Sequence, residues 1–288
     1  MFSEKTIIEK KDQIERRNIL KTRIITAALM VVLAIVILIF SYIPVVMNGT
    51  VAILIAGGVF ELFRATGFIK HKIVSALIIV FLTALAFVRI PFYEYILLGF
   101  YVAAFFVFAY LMKSVKKLNG INNAIVIFIS LSIGVMYKSI SCVRECENGL
   151  LLLILAVLVG VLTDSGAYFT GRAIGKHKLA PVLSPKKTKE GAVGGTLLGV
   201  LCAFVTALVL NGMGVVKVDV AAMAVYSLIA SIIGQFGDLA MSSIKRIAGI
   251  KDYGTLFPGH GGVLDRFDSI MFVLPFTYLF TVFINSII

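Results

Sequence analysis

The stretch DVAAMAVYSLIASIIGQFGDLAM, residues 219–241, decides the fold of this chain. Between its two aspartates nearly every position is apolar or small, and the run is close to the ~20 residues that a helix needs to cross a bilayer. Asp238 ends this run, where an ionised carboxylate costs up to about 2.5 to 3.5 kcal/mol. The sequence therefore predicts a membrane-spanning helix that carries a functional aspartate.

The rest of the chain has the same apolar character. Of its 288 residues, 60% are hydrophobic and 15% are charged, and the mean hydropathy is +1.03. Soluble domains are less apolar and more highly charged. We therefore predict an all-α, polytopic integral membrane protein with about nine transmembrane helices. The predicted spans are residues 24–43, 49–63, 73–90, 92–112, 121–138, 149–169, 191–211, 219–241 and 267–287.

The basic residues predict the orientation of these spans. Of the 27 Lys and Arg residues, all but four fall in segments that nine spans place on the side of the N-terminus. The four exceptions are Arg89, Lys138, Arg144 and Lys217. Because cytoplasmic loops carry the excess of positive charge, we expect a cytoplasmic N-terminus and an extracytoplasmic C-terminus. The net charge of +12 then reflects topology, which argues against binding of nucleic acid.

This pattern divides the chain into three regions. Residues 1–23 form a basic cytoplasmic segment, either a helix at the membrane interface or a solvated arm. Residues 24–148 form an N-terminal membrane body with about five spans. Residues 149–288 form a catalytic membrane domain with about four spans and two cytoplasmic loops, 170–190 and 242–266. Both loops lie on the same side of the membrane, so they can meet over one cavity.

Acidic residues mark one half of the predicted site. Asp238, Ser242 and Lys245 are spaced by four and three residues, so they share one face of a helix. Asp265 and Asp268 are also three apart, and carboxylates this close repel each other unless a cation lies between them. Oxygen ligands of this kind suit magnesium. Together with Asp238, the pair predicts a metal site.

Two of these assignments have alternatives. Asp265 and Asp268 could serve only as helix-start acids that complement the helix dipole, with Arg266 as a partner. Asp164, at the end of a predicted span, either joins the metal group or pairs with Arg172.

A glycine-rich turn lies between the acids. The segment PGHGG, residues 258–262, permits sharp turns, and Gly261 and Gly262 allow the backbone to approach a bulky anion closely. His260 in this turn is either an acid or base or a hydrogen-bond donor.

The basic segment SPKKTKEG, residues 184–191, is the other half of the predicted site. Cationic side chains and hydroxyl groups that can donate to phosphate oxygens are concentrated in and before it. They are Arg172, Lys178, Ser184, Lys186, Lys187, Thr188 and Lys189. We interpret the segment as a polyphosphate site, and the alternative is a loop that only keeps its side cytoplasmic.

These motifs resemble those of the phosphatidate cytidylyltransferases, also called CDP-diacylglycerol synthases. The similar segments are DSGAYF at 164–169, SPKKTKEG at 184–191, SSIKR at 242–246, KD at 251–252 and PGHGGVLDRFD at 258–268. The resemblance covers residues 150–288, whereas the first 150 residues match only as a string of spans. Lys189 departs from the aromatic residue expected in this family.

The resemblance implies a reaction in which CTP and phosphatidic acid give CDP-diacylglycerol and pyrophosphate with magnesium. It implies a homodimer in the bacterial plasma membrane, with a polar active site that faces the cytoplasm. It also implies a two-cation centre at Asp238 and Asp265, with potassium as one candidate for the second cation.

We assign predicted roles on these motifs. The catalytic residues are Asp238, Lys245, Arg246, His260 and Asp265. The substrate-binding residues are Arg172, Ser184, Lys186, Lys187, Thr188, Ser242, Lys251, Gly261, Gly262 and Arg266. The metal ligands are Asp164, Asp238, Asp265 and Asp268.

Two other functions compete with this one. A CTP-dependent polyprenol or phytol kinase would share the membrane setting but would transfer the γ-phosphate. An ion-coupled transporter would use Asp164, Asp238 and Asp265 as carboxylates within the membrane. Against transport, the acids cluster with an ordered basic loop on one side only.

Overall fold

The computed structural model describes residues 2–284, with side chains from residue 21 onward. The side chains of residues 1–20, for which an interfacial location is predicted, and residues 285–288 lie outside the described part. The described chain is built almost entirely of helices. They are α1 (Phe2–Phe40), α2 (Pro44–Thr66), α3 (Lys72–Leu85), α4 (Tyr93–Ser114), α5 (Asn123–Glu145), α6 (Gly149–Ile174), α7 (Lys189–Gly212), α8 (Val220–Ile247), α9 (Val263–Phe267) and α10 (Ile270–Ile284).

Each of the nine predicted spans overlaps one of these helices, which confirms a helical membrane protein. Seven helices in the described residues are long and apolar enough to cross a bilayer. The other two, α3 and α10, have 14 and 15 residues. At 1.5 Å per residue they are about 21 to 23 Å long, shorter than a bilayer core of about 30 Å. The count of nine crossings and the orientation of the termini therefore stay predictions.

Helix α5 lies at the centre of the bundle, and α1 lies at its periphery with an exposed apolar surface. The main core joins α5 to buried residues of α2, α8 and α10. Pairs of polar residues add buried hydrogen bonds, such as that from the Tyr226 hydroxyl of α8 to the Thr277 hydroxyl of α10 at 2.8 Å. The N-terminal body and the C-terminal domain therefore share one core.

Small residues bring α6, α7 and α8 close together. A Cβ atom at Gly199 of α7 would lie 2.6 Å from Thr163 Oγ1 of α6 and 2.5 Å from Ser231 Oγ of α8. Because Gly199 has no side chain, the hydroxyls of Thr163 and Ser231 can meet there in a buried hydrogen bond of 2.8 Å. Gly199 therefore serves close helix packing.

Two features of the loops are absent from the predicted fold. Between α6 and α7 the chain forms an antiparallel hairpin of β1 (Lys178–Ala180) and β2 (Ser184–Thr188). Between α8 and α10 the five-residue helix α9 lies against α2. The hairpin is short and rich in lysine, so it has no alternating apolar pattern that would predict strands.

The segment between α8 and α9 folds back beside α8. The hydroxyl of Tyr253 donates to the backbone oxygen of Met241 at 2.9 Å, one and a half turns before the end of α8. Asp238 lies deeper still, roughly 14 Å from that end at 1.5 Å per residue. Asp238 is therefore recessed within the helix bundle.

Candidate active site

The structure joins the two halves of the predicted site through one ion pair. Strand β2 carries Lys187 toward α8, where its ammonium group contacts the carboxylate of Asp238. The hydroxyl of Ser242, one turn further along α8, donates to Asp238 Oδ1 at 3.4 Å. Both side chains of the ion pair are half-buried. A basic residue of the hairpin and an acid of the bundle thus belong to one site.

Local hydrogen bonds hold the hairpin in this position. Thr188 is the N-cap of α7, and its hydroxyl accepts from the Gly191 amide at 3.1 Å, which fixes the junction of strand and helix. Arg246 at the end of α8 donates from Nε to the Leu183 carbonyl at 3.1 Å. These contacts give Thr188 and Arg246 a role in placing Lys187.

Two further aspartates surround Asp238. The carboxylates of Asp164 on α6 and Asp268 after α9 both interact electrostatically with it. Lys187 also interacts with Asp164, and Lys245 interacts with Asp268. Three carboxylates from three parts of the chain are therefore close enough to interact electrostatically with one another and with these lysines. The alternative partner of Asp164, Arg172, is exposed and instead lies 3.5 Å from the Tyr168 hydroxyl.

Asp265 is buried and has a different environment. Its Oδ1 accepts from Lys245 Nζ at 2.9 Å, and its Oδ2 accepts from the amides of Tyr253 at 2.7 Å and Gly262 at 3.0 Å. The Gly262 contact also caps the first turn of α9. Asp265 thus connects α8, the segment between α8 and α9, and α9 itself. Both of its oxygens already accept hydrogen bonds.

Tyr253 completes the environment of Asp265. Its ring lies beneath the Lys245 ammonium, 5.5 Å from the centroid. Burial, with the nearby Asp265 charge as a smaller cause, raises the pKa of the Tyr253 phenol. The phenol therefore stays protonated and keeps its hydrogen bond to α8.

The glycine-rich turn adopts a conformation that requires glycine. Gly259 and Gly261 have φ of 76° and 87°, in the left-handed region. The Phe257 amide donates to the Gly261 carbonyl at 2.9 Å, and the His260 amide donates to the Phe257 carbonyl at 2.8 Å. In the described part of the chain the buried Nδ1 of His260 has no hydrogen-bond partner. The role of His260 as acid, base or donor stays a prediction.

The donor set suits a hard cation. Carboxylate oxygens of Asp164, Asp238 and Asp268 are the ligands that magnesium prefers. Among residues 21–284, no three acidic, His or Cys side chains already stand in a ligating arrangement. The carboxylate of Asp238 contacts Lys187 instead. The predicted metal ligands thus lie near one another, and metal binding itself stays a prediction.

The other predicted substrate-binding residues differ in their exposure to solvent. Ser184 begins β2 and is half-buried, and Ser242 is buried on α8. The remaining cationic side chains are exposed. They are Arg172, Lys186, Lys251 and Arg266.

Sequence reasoning missed Glu61 as a site residue. This buried glutamate of α2 accepts from the amides of Val263 at Oε1 and Leu264 at Oε2, both at 2.9 Å. A lone carboxylate within an apolar span was the signal that could have found it, because such a group is costly in a membrane.

Comparison with known proteins agrees with the predicted resemblance. The profile of the cytidylyltransferase family matches residues 21–284. The phosphatidate cytidylyltransferase of Staphylococcus epidermidis is 38% identical over 177 residues, which is 62% of this chain and 66% of that protein. Those of Staphylococcus haemolyticus and Staphylococcus saprophyticus are 39% and 40% identical over 172 residues, which is 60% of this chain and 64% of each relative. The alignments thus span slightly less than two thirds of these relatives, and they confirm the resemblance.

Proposed function

The chain belongs to the cytidylyltransferase family, and on this premise we propose that it transfers the cytidylyl group of CTP to phosphatidic acid. The products are CDP-diacylglycerol and pyrophosphate. The observation that carries the proposal is the contact of Lys187 with Asp238, because it brings the strand predicted to bind phosphate to the acidic group of the bundle.

The charge of the recessed group supports a metal-dependent reaction. Asp164, Asp238, Asp265 and Asp268 carry four negative charges when ionised, and Lys187 and Lys245 supply two positive charges. The excess of negative charge favours a cation in the same place. We assign magnesium to Asp238 with Asp164 and Asp268. When bound, the metal neutralises negative charge on the phosphate oxygens.

The reaction needs orientation more than a strong base. A phosphate oxygen of phosphatidic acid, already anionic at neutral pH, forms a bond to the α-phosphorus of CTP. The bond from that phosphorus to the bridging oxygen breaks, and pyrophosphate leaves with the electron pair. Lys187 is suited to bind the triphosphate, with Lys186 and Arg172 nearer the surface. His260 is then not required as a base.

The recessed position suits substrates from two phases. CTP enters from water along the hairpin, and the lipid phosphate enters from the bilayer near the polar end of the bundle. We infer a plasma-membrane protein of bacterial type whose site faces the cytoplasm, where CTP is found, and we infer a homodimer from the family resemblance.

Purified protein mixed with phosphatidic acid, CTP and magnesium is expected to release pyrophosphate and CDP-diacylglycerol in equal amounts. Chelation of the metal with EDTA should stop the release because the excess negative charge at the site then repels the triphosphate. An enzyme-coupled pyrophosphate assay with lipid analysis measures both products. Sustained release in EDTA would contradict the metal requirement, and no release under any of these conditions would contradict the proposed reaction.

A further inference from the structure

Glu61 links the N-terminal membrane body to the segment that carries the acids of the site. It lies in α2, about 200 positions before its partners in the chain, yet its two carboxylate oxygens accept separately from the first two amides of α9. Its side chain is buried. A buried carboxylate in a membrane helix is costly, and these two bonds provide the compensation that it needs.

Helix α9 depends on such contacts for its position. It has five residues, too few for a helix to be stable alone. Its first amides have no partner within the helix, and a carboxylate at this end complements both the amides and the helix dipole. Glu61 supplies that carboxylate from another part of the chain.

The glycines around α9 fit the Glu61 side chain closely. A Cβ atom at Gly254 would lie 2.6 Å from Glu61 Oε1, and one at Gly262 would collide with the same carboxylate. On α2 itself, Cβ atoms at Gly57 and Gly58 would lie 3.1 Å from side-chain carbons of α9. The carboxylate therefore packs directly against the backbone at Gly254 and Gly262, which both precede α9.

A second side chain, from the end of the basic N-terminal segment, holds the same part of the chain. Arg23 of α1 donates from Nε to the Gly259 carbonyl at 2.9 Å. Arg23 and Glu61 thus fix the segment before α9 and the start of α9 from two different helices. Asp265 lies within α9 and Asp268 directly follows it, so the placement of both acids depends on these contacts.

We propose that Glu61 is a positioning residue for the cytidylyl transfer, which holds α9 so that Asp265 keeps its bond to Lys245 and Asp268 stays close to Asp238. The inference rests on the proposed function and gives the N-terminal membrane body a part in the reaction. Glu61 touches no reacting atom in this role. It acts through the first two amides of α9.

Glu61→Gln is the direct test, because glutamine keeps the volume but loses the charge and one acceptor. Turnover is expected to fall about 100-fold, as for a small misplacement of catalytic groups, with the KM for CTP changed much less. Amide hydrogen exchange of residues 253–268 should accelerate about tenfold, while exchange of the hairpin at 178–188 stays unchanged.

Lys138→Met is the matched control for loss of a buried charged residue. Lys138 is buried in α5, and its Nζ donates to the Ala86 carbonyl at 2.9 Å, outside the proposed site. This variant can lose stability but should keep the wild-type turnover and the protection of residues 253–268. Wild-type turnover in Glu61→Gln, or equally accelerated exchange at 178–188 and 253–268, would overturn the positioning role.

Gly254→Ala tests the same contact without removing the carboxylate, and it serves if Glu61→Gln does not fold. It should also reduce turnover and the protection of the amides of residues 253–268 from hydrogen exchange. Gly49→Ala is the control, because a Cβ atom there has open space around it, and it should change neither quantity. Wild-type turnover and wild-type amide protection in Gly254→Ala would contradict the proposal. If the wild type releases no pyrophosphate, the proposed function fails, and the exchange comparison still tests the hold of Glu61 on α9.

Discussion

Asn in place of Asp265 is expected to reduce turnover on the order of 10³-fold and to lower the thermal stability. The side chain joins Lys245 to the amides of Tyr253 and Gly262, and an asparagine cannot accept all three bonds. It also leaves the Lys245 ammonium buried without its counter-ion, which costs about 3 to 5 kcal/mol. Pyrophosphate release and melting in detergent measure the two effects.

A second substitution separates these effects. Lys245→Met added to Asp265→Asn removes the unpaired ammonium and should restore most of the melting temperature. Activity should stay low because the carboxylate charge of residue 265 and its ion pair with Lys245 are both absent from the site. Activity that recovers together with stability would contradict a direct role of Asp265 in arranging the site. Unchanged turnover in Asp265→Asn alone would also contradict it.

Lys187→Met is expected to reduce kcat/KM for CTP about 100-fold or more, because it removes the cation that joins the hairpin to Asp238. Lys186→Met is the matched comparison. Successive side chains of a strand point to opposite faces, and Lys186 is exposed where Lys187 is half-buried. The loss in Lys186→Met should therefore be several-fold at most.

Initial rates at varied CTP concentration distinguish the two lysines. A dominant effect on kcat/KM for CTP at position 187 is expected. Equal losses in both variants would indicate that the segment acts only as a diffuse positive surface, as in the topogenic alternative.

Strong periodic and charge signals predicted the fold. The apolar run before Asp238 predicts a helix, and α8 spans it. The predicted spans 49–63, 73–90 and 92–112 correspond to three separate helices, α2, α3 and α4. Such elements are predictable because a helix in a membrane must form all its backbone hydrogen bonds internally.

The sequence indicated which residues belong to the candidate site better than it indicated which contacts they make. Asp238 interacts electrostatically with Asp164 and Asp268 and contacts Lys187, whereas the spacing linked Asp238 only with Ser242 and Lys245. Asp265 instead accepts three hydrogen bonds that no spacing rule predicts.

The remaining features arise from long-range packing. The contacts of Glu61 with Val263 and Leu264 join positions about 200 residues apart, so no local pattern contains them. Helix α9 is too short to have a periodic signal. The hydrogen bond from Arg23 to the Gly259 carbonyl also joins distant parts of the chain, and a single basic residue has no local pattern that predicts its partner.

The proposed reaction is tested by following each phosphate of CTP. Two parallel reactions contain phosphatidic acid, magnesium and CTP that is radiolabelled at either the α- or the γ-phosphorus, and the lipid is then extracted. Cytidylyl transfer predicts α-label in the lipid and γ-label in aqueous pyrophosphate. Label from the γ-position in a lipid, as a kinase would give, or no label in lipid from either substrate, would contradict the proposed function.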